Sequence, residues 1–377
     1  MANSAESCFS VKDFTWLEVQ LFTLHQEEAS MSITRRQILQ MLGAGLVVSQ
    51  APIANASGLN SGSILKPPRL KAGDTVGLIN PAGATFHPDD VNYAAETLAA
   101  LGLKMKTGEH LLDRYGYLAG TDKARADDIN HMFADRDVAA ILTLRGGWGC
   151  NRLLELLDYD TIAKNPKILM GYSDITSLLL ALNAKTGLVT FHGPVGTSTW
   201  NQFSTGYVEK LLFKAEVFSM ENPREIGDNL AQSKERILTI NGGKARGRLL
   251  GGNLSVLTSM VGSNYLPDFN KNILFLEDVG EDIYRIDRML TQLKLAGILG
   301  QISGFVFGKC SDCGPGKGFG SLTLEEVLDD HIKPLGIPAW YGAMIGHIEN
   351  KFTIPLGIET EIDADNGRIS LLEPAVT

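Results

Sequence analysis

The sequence predicts an α/β fold in two parts, an N-terminal parallel-sheet α/β domain followed by a smaller C-terminal α+β domain. Three observations predict it. From Asp74 onward, short β-branched runs alternate with amphipathic stretches of helical period, the pattern of strands joined by crossover helices. The run at 138–144 is almost continuously apolar, as expected of a parallel strand covered on both faces. Beyond about residue 235 short strands dominate, and the last two flank Asp365-Asn366-Gly367, residues that tolerate the left-handed conformations of a tight hairpin turn.

Taken in order, residues 75–79 read as a strand ending in Asn80-Pro81-Ala82-Gly83, and 88–101 as a helix. Residues 123–133 form a second helix, with Ala126, Ile129 and Phe133 on one face. The strand 138–144 is broken by Gly146-Gly147-Trp148-Gly149, after which a helix runs through Leu157. A strand at 167–170, a helix at 174–185 and a strand at 188–191 complete the N-terminal domain, 57–200. The stretch 201–235 has the weakest pattern and is read as a linker. In the C-terminal domain, 236–377, strands are expected at 236–240, 245–250, 273–276, 304–307, 360–364 and 368–372. Helices are expected from near Asn253 and at 282–295 and 322–332. No internal repeat is apparent.

Composition bounds the function. With 377 residues, 44% hydrophobic and 20% charged, the chain has ample material for buried cores, which excludes disorder, collagen and coiled coil for the whole. A net charge of −9 offers no bulk positive field for nucleic acid or an anionic membrane, so a small-molecule or peptide substrate is expected. Residues 1–56 read as a leader. Adjacent Arg35 and Arg36 precede an apolar stretch at 38–48 and the small-residue sequence Ala54-Asn55-Ala56, the layout of a twin-arginine export signal with cleavage after Ala56 and a periplasmic destination. The apolar stretch is short for a membrane span, which needs about 20 residues. Cys310-Ser311-Asp312-Cys313 has redox or half-zinc spacing, but no second pair follows at finger spacing, so ordinary thiols or an incidental disulfide are expected and no metal or cofactor.

The sharpest local feature is Gly171-Tyr172-Ser173-Asp174, between an apolar strand and a helix. Two readings fit. Ser173 is either the N-cap of the following helix or a nucleophile at a strand-to-helix turn, where backbone N–H groups stabilise an oxyanion. A nucleophilic serine needs a base. Of the histidines beyond the leader, His192 in Phe191-His192-Gly193-Pro194 and His347 in Ile345-Gly346-His347 are better placed than His87, His110, His131 or His331. The base needs an orienting group, for which Glu277 and Asp278 are both candidates. Arg145-Gly146-Gly147-Trp148-Gly149 lacks a phosphate-loop lysine and the dinucleotide spacing, yet follows a strand and so faces ligand in an open α/β sheet. The N–H of Gly147 or Gly146 would complete an oxyanion hole with that of Asp174.

Together these pieces resemble the LD-carboxypeptidase family of serine peptidases, which includes microcin C immunity peptidases. The resemblance runs from about Pro67 to Leu372. It is carried by GYLAGTDKARADDINHMFAD at 116–135, AILTLRGGWGCNRLL at 140–154, MGYSDITSLL at 170–179, FHGP at 191–194, LLGGNLSVL at 249–257, LFLEDVGEDIYRIDRML at 274–290 and IGHIENKFTIPLG at 345–357. The resemblance implies a Ser-Glu-His triad of Ser173, Glu277 and His347, an active site between the domains, a homodimer, and removal of terminal D-alanine from muropeptide tetrapeptides. It implies neither metal nor cofactor. Arg145 is the candidate for binding the substrate's terminal carboxylate. A peptidyl-nucleotide substrate is the enzymatic alternative, with Trp200 or Trp148 stacking on the base, and a non-catalytic periplasmic binding module is the alternative from another class. The export signal is a departure, because the familiar peptidoglycan-recycling members are cytoplasmic.

Overall fold

The computed structural model describes residues 64–224, 226–315 and 320–377, so the expected leader, with Arg35 and Arg36, lies outside the described residues. The first half supplies β1 (Thr75–Ile79), α1 (Pro88–Ala100), β2 (Lys104–Thr107), α2 (Asp122–Ala134), β3 (Val138–Thr143), α3 (Tyr159–Lys164), β4 (Ile168–Gly171), α4 (Thr176–Thr186) and β5 (Thr190–His192). The chain continues through α5 (Gln202–Val208), β6 (Ser219–Glu221), β7 (Leu238–Asn241), β8 (Lys244–Asn253), α6 (Leu254–Ser259), β9 (Ile273–Val279), α7 (Ile283–Leu295), β10 (Gly304–Ser311) and α8 (Leu324–His331). It ends with β11 (Ala339–Tyr341), β12 (Ile354–Leu356), β13 (Glu359–Asp363) and β14 (Arg368–Leu371).

Two sheets result. The first, in the order β12-β5-β4-β3-β1-β2, is parallel from β2 to β5, and β12 closes its edge antiparallel to β5. The second, β6-β14-β13-β8-β9-β10-β11-β7, has a parallel centre from β8 to β11 and antiparallel flanks. Helix α4 is apolar on every side, with Leu178 through Leu182 all fully buried, the signature of a helix enclosed within a core. It packs on β5 and β12 of one sheet and on β8 of the other.

The sheets account for the departures from expectation. The C-terminal half is less α+β than its sequence suggests, because α6, α7 and α8 act as crossovers between parallel strands and its sheet is the larger. Strand β2, Lys-Met-Lys-Thr, was not expected. It lies at an edge with three of its four residues exposed, where charge is tolerated and the alternating pattern is weak. Residues 150–156 form a 3₁₀ turn rather than an α-helix. The stretch 201–235 holds α5, a π-helical turn at Glu209–Phe213 and β6. Strand β9 runs on to Val279 instead of ending at 276, which takes both Glu277 and Asp278 into the sheet.

Candidate active site

Parallel strands deliver their following loops to one edge of a sheet. At that edge of the first sheet, the loop after β3 carries Arg145, Gly146 and Gly147, and the turn after β4 carries Ser173. Ser173 has φ of 64°, a left-handed conformation costly for an L-residue and concentrated at functional sites. Its hydroxyl caps no helix. The 3₁₀ turn Ser173–Ile175 and the start of α4 both lack a side-chain cap, so the capping reading fails. Gly146 is where the two loops touch: a Cβ there would lie 2.9 Å from Ser173 Cβ and 3.2 Å from its Oγ. The Asp174 carboxylate accepts the Cys150 N–H at 2.8 Å, tying the serine turn to the glycine loop, and burial pushes its pKa up. Among the described residues no hydrogen bond uses the backbone N–H of Gly146, Gly147 or Asp174.

The second sheet brings the acid and the histidine. Glu277 pairs in register with Asn253 of β8, and His347 lies on the loop between β11 and β12. His347 Nδ1 is 2.8 Å from Glu277 Oε2. Glu277 is fully buried. Burial alone would raise its pKa, but the His347 hydrogen bond and the nearby imidazoles hold it below the ordinary value. Gly346, with φ of 122°, lets the loop pass this carboxylate, since a Cβ would sit 2.7 Å from Oε2. Asp278 points elsewhere. It accepts from Asn253 Nδ2 at 3.0 Å and Ser255 Oγ at 2.7 Å, and burial pushes it up to about 6. His192 is buried with neither ring nitrogen hydrogen-bonded, and burial drives it down to about 4. Of the paired candidates, the structure couples Glu277 with His347.

Ser173 and His347 line one open cleft of about 360 Å³, together with Arg145, Gly146, Gly147 and Asp90. Among the described residues no hydrogen bond joins Ser173 to His347; the Tyr172 ring packs against the imidazole, with centroids 4.9 Å apart and planes at 61°. Arg145 Nη1 donates to the Ala84 carbonyl at 3.2 Å. Trp200 does not line this cleft. Its indole N–H donates to the Val195 carbonyl at 3.0 Å, and its ring faces an apolar pocket beside Leu70 and Leu212. Cys310 and Cys313 form a disulfide. Sequence reasoning missed Asp90 and Tyr172 in the cleft. Tyr172 was detectable as the neighbour of Ser173, but nothing local marks Asp90. It also missed buried Arg125, which donates to Pro81 O at 2.5 Å and Gly149 O at 3.1 Å and so anchors the glycine loop.

Comparison with known proteins agrees in both halves. Residues 76–193 match the LD-carboxypeptidase N-terminal domain, and residues 246–362 match the LD-carboxypeptidase C-terminal domain. The chain is 39% identical over 298 residues to the probable murein peptide carboxypeptidase of Bacillus subtilis (strain 168), covering 79% of this chain and 91% of that protein. Its structure resembles that of MccF in complex with glutamyl sulfamoyl guanosine, with a TM-score of 0.75 and 31% identity, over 83% of this chain and 100% of the other. It also resembles the muramoyltetrapeptide carboxypeptidase from Oxalobacter formigenes, with a TM-score of 0.64 and 28% identity, over 79% and 97% of the two chains. Matches to both domain types, at this identity and over this length, place the chain in the LD-carboxypeptidase family.

Proposed function

We propose that this chain is a serine carboxypeptidase that hydrolyses the amide between an L-centre and a terminal D-residue, releasing D-alanine from muropeptide tetrapeptides. One observation carries the reading: a fully buried carboxylate holds Nδ1 of a histidine that shares a cleft with a serine at positive φ. His347 Nε2 takes the Ser173 proton as Oγ attacks the scissile carbonyl carbon. The negative charge that develops on the carbonyl oxygen is met by the N–H groups of Gly147 and Asp174. As the tetrahedral intermediate collapses, the C–N bond breaks and His347 returns its proton to the leaving amine. Water then attacks the acyl-serine ester, His347 takes its proton, and the departing Ser173 Oγ recovers it. Glu277 fixes the tautomer of His347 and stabilises its charged form throughout.

Arg145 is the group in the cleft suited to a free terminal carboxylate, which would make the enzyme an exopeptidase. The leader at 1–56 supports export by the twin-arginine route and action in the periplasm on murein-derived peptides. A homodimer is proposed on the family resemblance. Incubation of the protein with muropeptide tetrapeptide, followed by mass spectrometry, tests the reading: loss of one D-alanine is expected from the wild type and not from Ser173→Ala. Amidating the terminal carboxylate, or replacing D-alanine by L-alanine, should suppress cleavage by removing or misdirecting the charge that Arg145 meets. Equal rates on all three peptides would leave a less selective serine amidase. Failure of a serine-directed fluorophosphonate to label Ser173 would favour a non-catalytic binding module.

A further inference from the structure

Lys351 is 5% exposed, and its backbone N–H donates to Ser204 Oγ at 3.1 Å. Among the described residues its ammonium makes neither a side-chain hydrogen bond nor a salt bridge, and a buried charge without a partner is costly. What it does meet is aromatic: Nζ lies 4.5 Å from the centroid of the Tyr172 ring. That ring in turn packs on the His347 imidazole, and Tyr172 is the residue before Ser173. One aromatic ring thus links the serine turn, the histidine and a buried cation.

We propose that Lys351 is a positioning residue for the Ser173–His347 pair. Its ammonium clamps the Tyr172 ring against His347 and supplies a positive charge facing buried Glu277 before His347 has accepted a proton. The inference rests on the serine-hydrolase reading above. Attraction between a desolvated ammonium and an aromatic face is stronger than at an exposed site, and it vanishes when the amine loses its proton.

The titratable groups that act on Lys351 are Glu277 from β9, His192 from β5 and Tyr172, with His347 on the same Tyr172 ring. Asp278 is engaged by Asn253 and Ser255. His192 is neutral above about pH 4, and burial pushes Tyr172 up, so near neutral pH the opposite charges are those of Glu277 and Lys351. Burial brings Lys351 down to about 8, with Glu277 opposing the fall. The clamp is therefore present below that pH and lost above it.

The test is the rate at which a fluorophosphonate labels Ser173 between about pH 6 and 10 in the wild type, Lys351→Met and Lys351→Arg, with kcat and KM for a tetrapeptide measured alongside. Wild-type labelling should fall as the pH rises through about 8. Below that pH Lys351→Met should label about tenfold more slowly, with kcat lowered and KM changed less than about twofold, the pattern of a lost transition-state interaction. Lys351→Arg should restore much of the rate and extend it to about pH 10, because a guanidinium keeps its proton. Wild-type rate and pH profile in Lys351→Met would overturn the proposal. If Lys351→Met does not fold, an unchanged alkaline limit in Lys351→Arg would overturn it equally well. A wild-type protein that labels at no pH would reject the serine-hydrolase reading, and the inference with it, whereas normal wild-type labelling indifferent to Lys351 rejects the inference alone.

Discussion

Replacing Gly346 by alanine should damage turnover more than stability, and the geometry indicates how much. The new Cβ would meet Glu277 Oε2 at 2.7 Å and Glu277 Cβ at 3.1 Å, whereas a carbon–oxygen contact settles near 3.4 Å. Glu277 is fully buried in β9, so relief must come from its carboxylate or from the His347 loop. A shift of about 0.7 Å would stretch the 2.8 Å bond between Glu277 and His347 beyond the usual limit of about 3.2 Å. Misplacement on that scale costs on the order of 100-fold in rate. The alanine must also adopt φ of 122°, so the strain and contact together should cost about 2–3 kcal/mol of stability. Urea unfolding and tetrapeptide kcat, measured on Gly346→Ala and on Gly336→Ala, separate the two effects. Gly336 has φ of 64° with nothing near its absent Cβ, so its substitution should bring strain without loss of turnover. A Gly346→Ala enzyme that keeps kcat within about threefold while losing stability would refute the argument that this carboxylate must be held in place.

Three further outcomes are expected. Ser173→Ala should abolish hydrolysis yet change stability by less than about 0.5 kcal/mol, since the hydroxyl caps nothing; Ser173→Gly should be the more stable of the two by about 0.5–1 kcal/mol, because glycine carries no penalty at φ of 64°. His192→Phe should retain turnover where His347→Ala does not, and its stability should depend less on acid. With a folded pKa near 4 against 6.5 unfolded, His192 lets the unfolded chain alone gain a proton as pH falls through that window. Wild type should thus lose up to about 3 kcal/mol relative to the variant, read as a difference in urea midpoints at pH 7 and pH 4. The difference is needed because Asp278, raised to about 6, acts in the opposite sense, contributing stability at low pH that is lost as pH rises through 6. Replacing Arg35 and Arg36 by lysine in a fusion of residues 31–60 to a reporter should block export, and continued export would argue for another route.

The alternating pattern was sufficient to place the strands and helices around the site, and the residues flanking Ser173 and His347 were legible as blocks. Pattern alone could not choose between Glu277 and Asp278. Adjacent strand residues point to opposite faces, so one reaches His347 and the other Asn253 and Ser255, a distinction that exists only once the register of β8 and β9 is set. The same pairing explains why the sequence pattern ends the strand at 276. Two successive carboxylates read as a terminator unless each has a buried partner waiting. Arg125 shows the converse limit. Arginine is rarely buried unless paired, and this one is enclosed because Asp122 pairs with it at 2.6 Å while the carbonyls of Pro81 and Gly149 converge on it from distant loops. Trp200 and Lys351 also depended on tertiary contacts, the first turned into a core and the second drawn under an aromatic ring.

The burial of Glu277 has a mechanistic logic. A carboxylate removed from water is costly, and at Glu277 the His347 hydrogen bond and the nearby imidazoles outweigh that cost and keep it ionised. Oε1 of Glu277 has no hydrogen-bond partner among the described residues. In the proposed mechanism the imidazole becomes cationic only as it removes the Ser173 proton, and at that moment the 2.8 Å contact turns from a dipolar one into an ion pair in a medium that screens it poorly. The gain falls on the transition state rather than on the free enzyme, as rate acceleration requires. A solvated acid at the same distance would hold the ring's tautomer equally well but would gain far less when the charge appears. That difference is the physical reason for drawing this acid from the interior of β9 rather than from a surface loop.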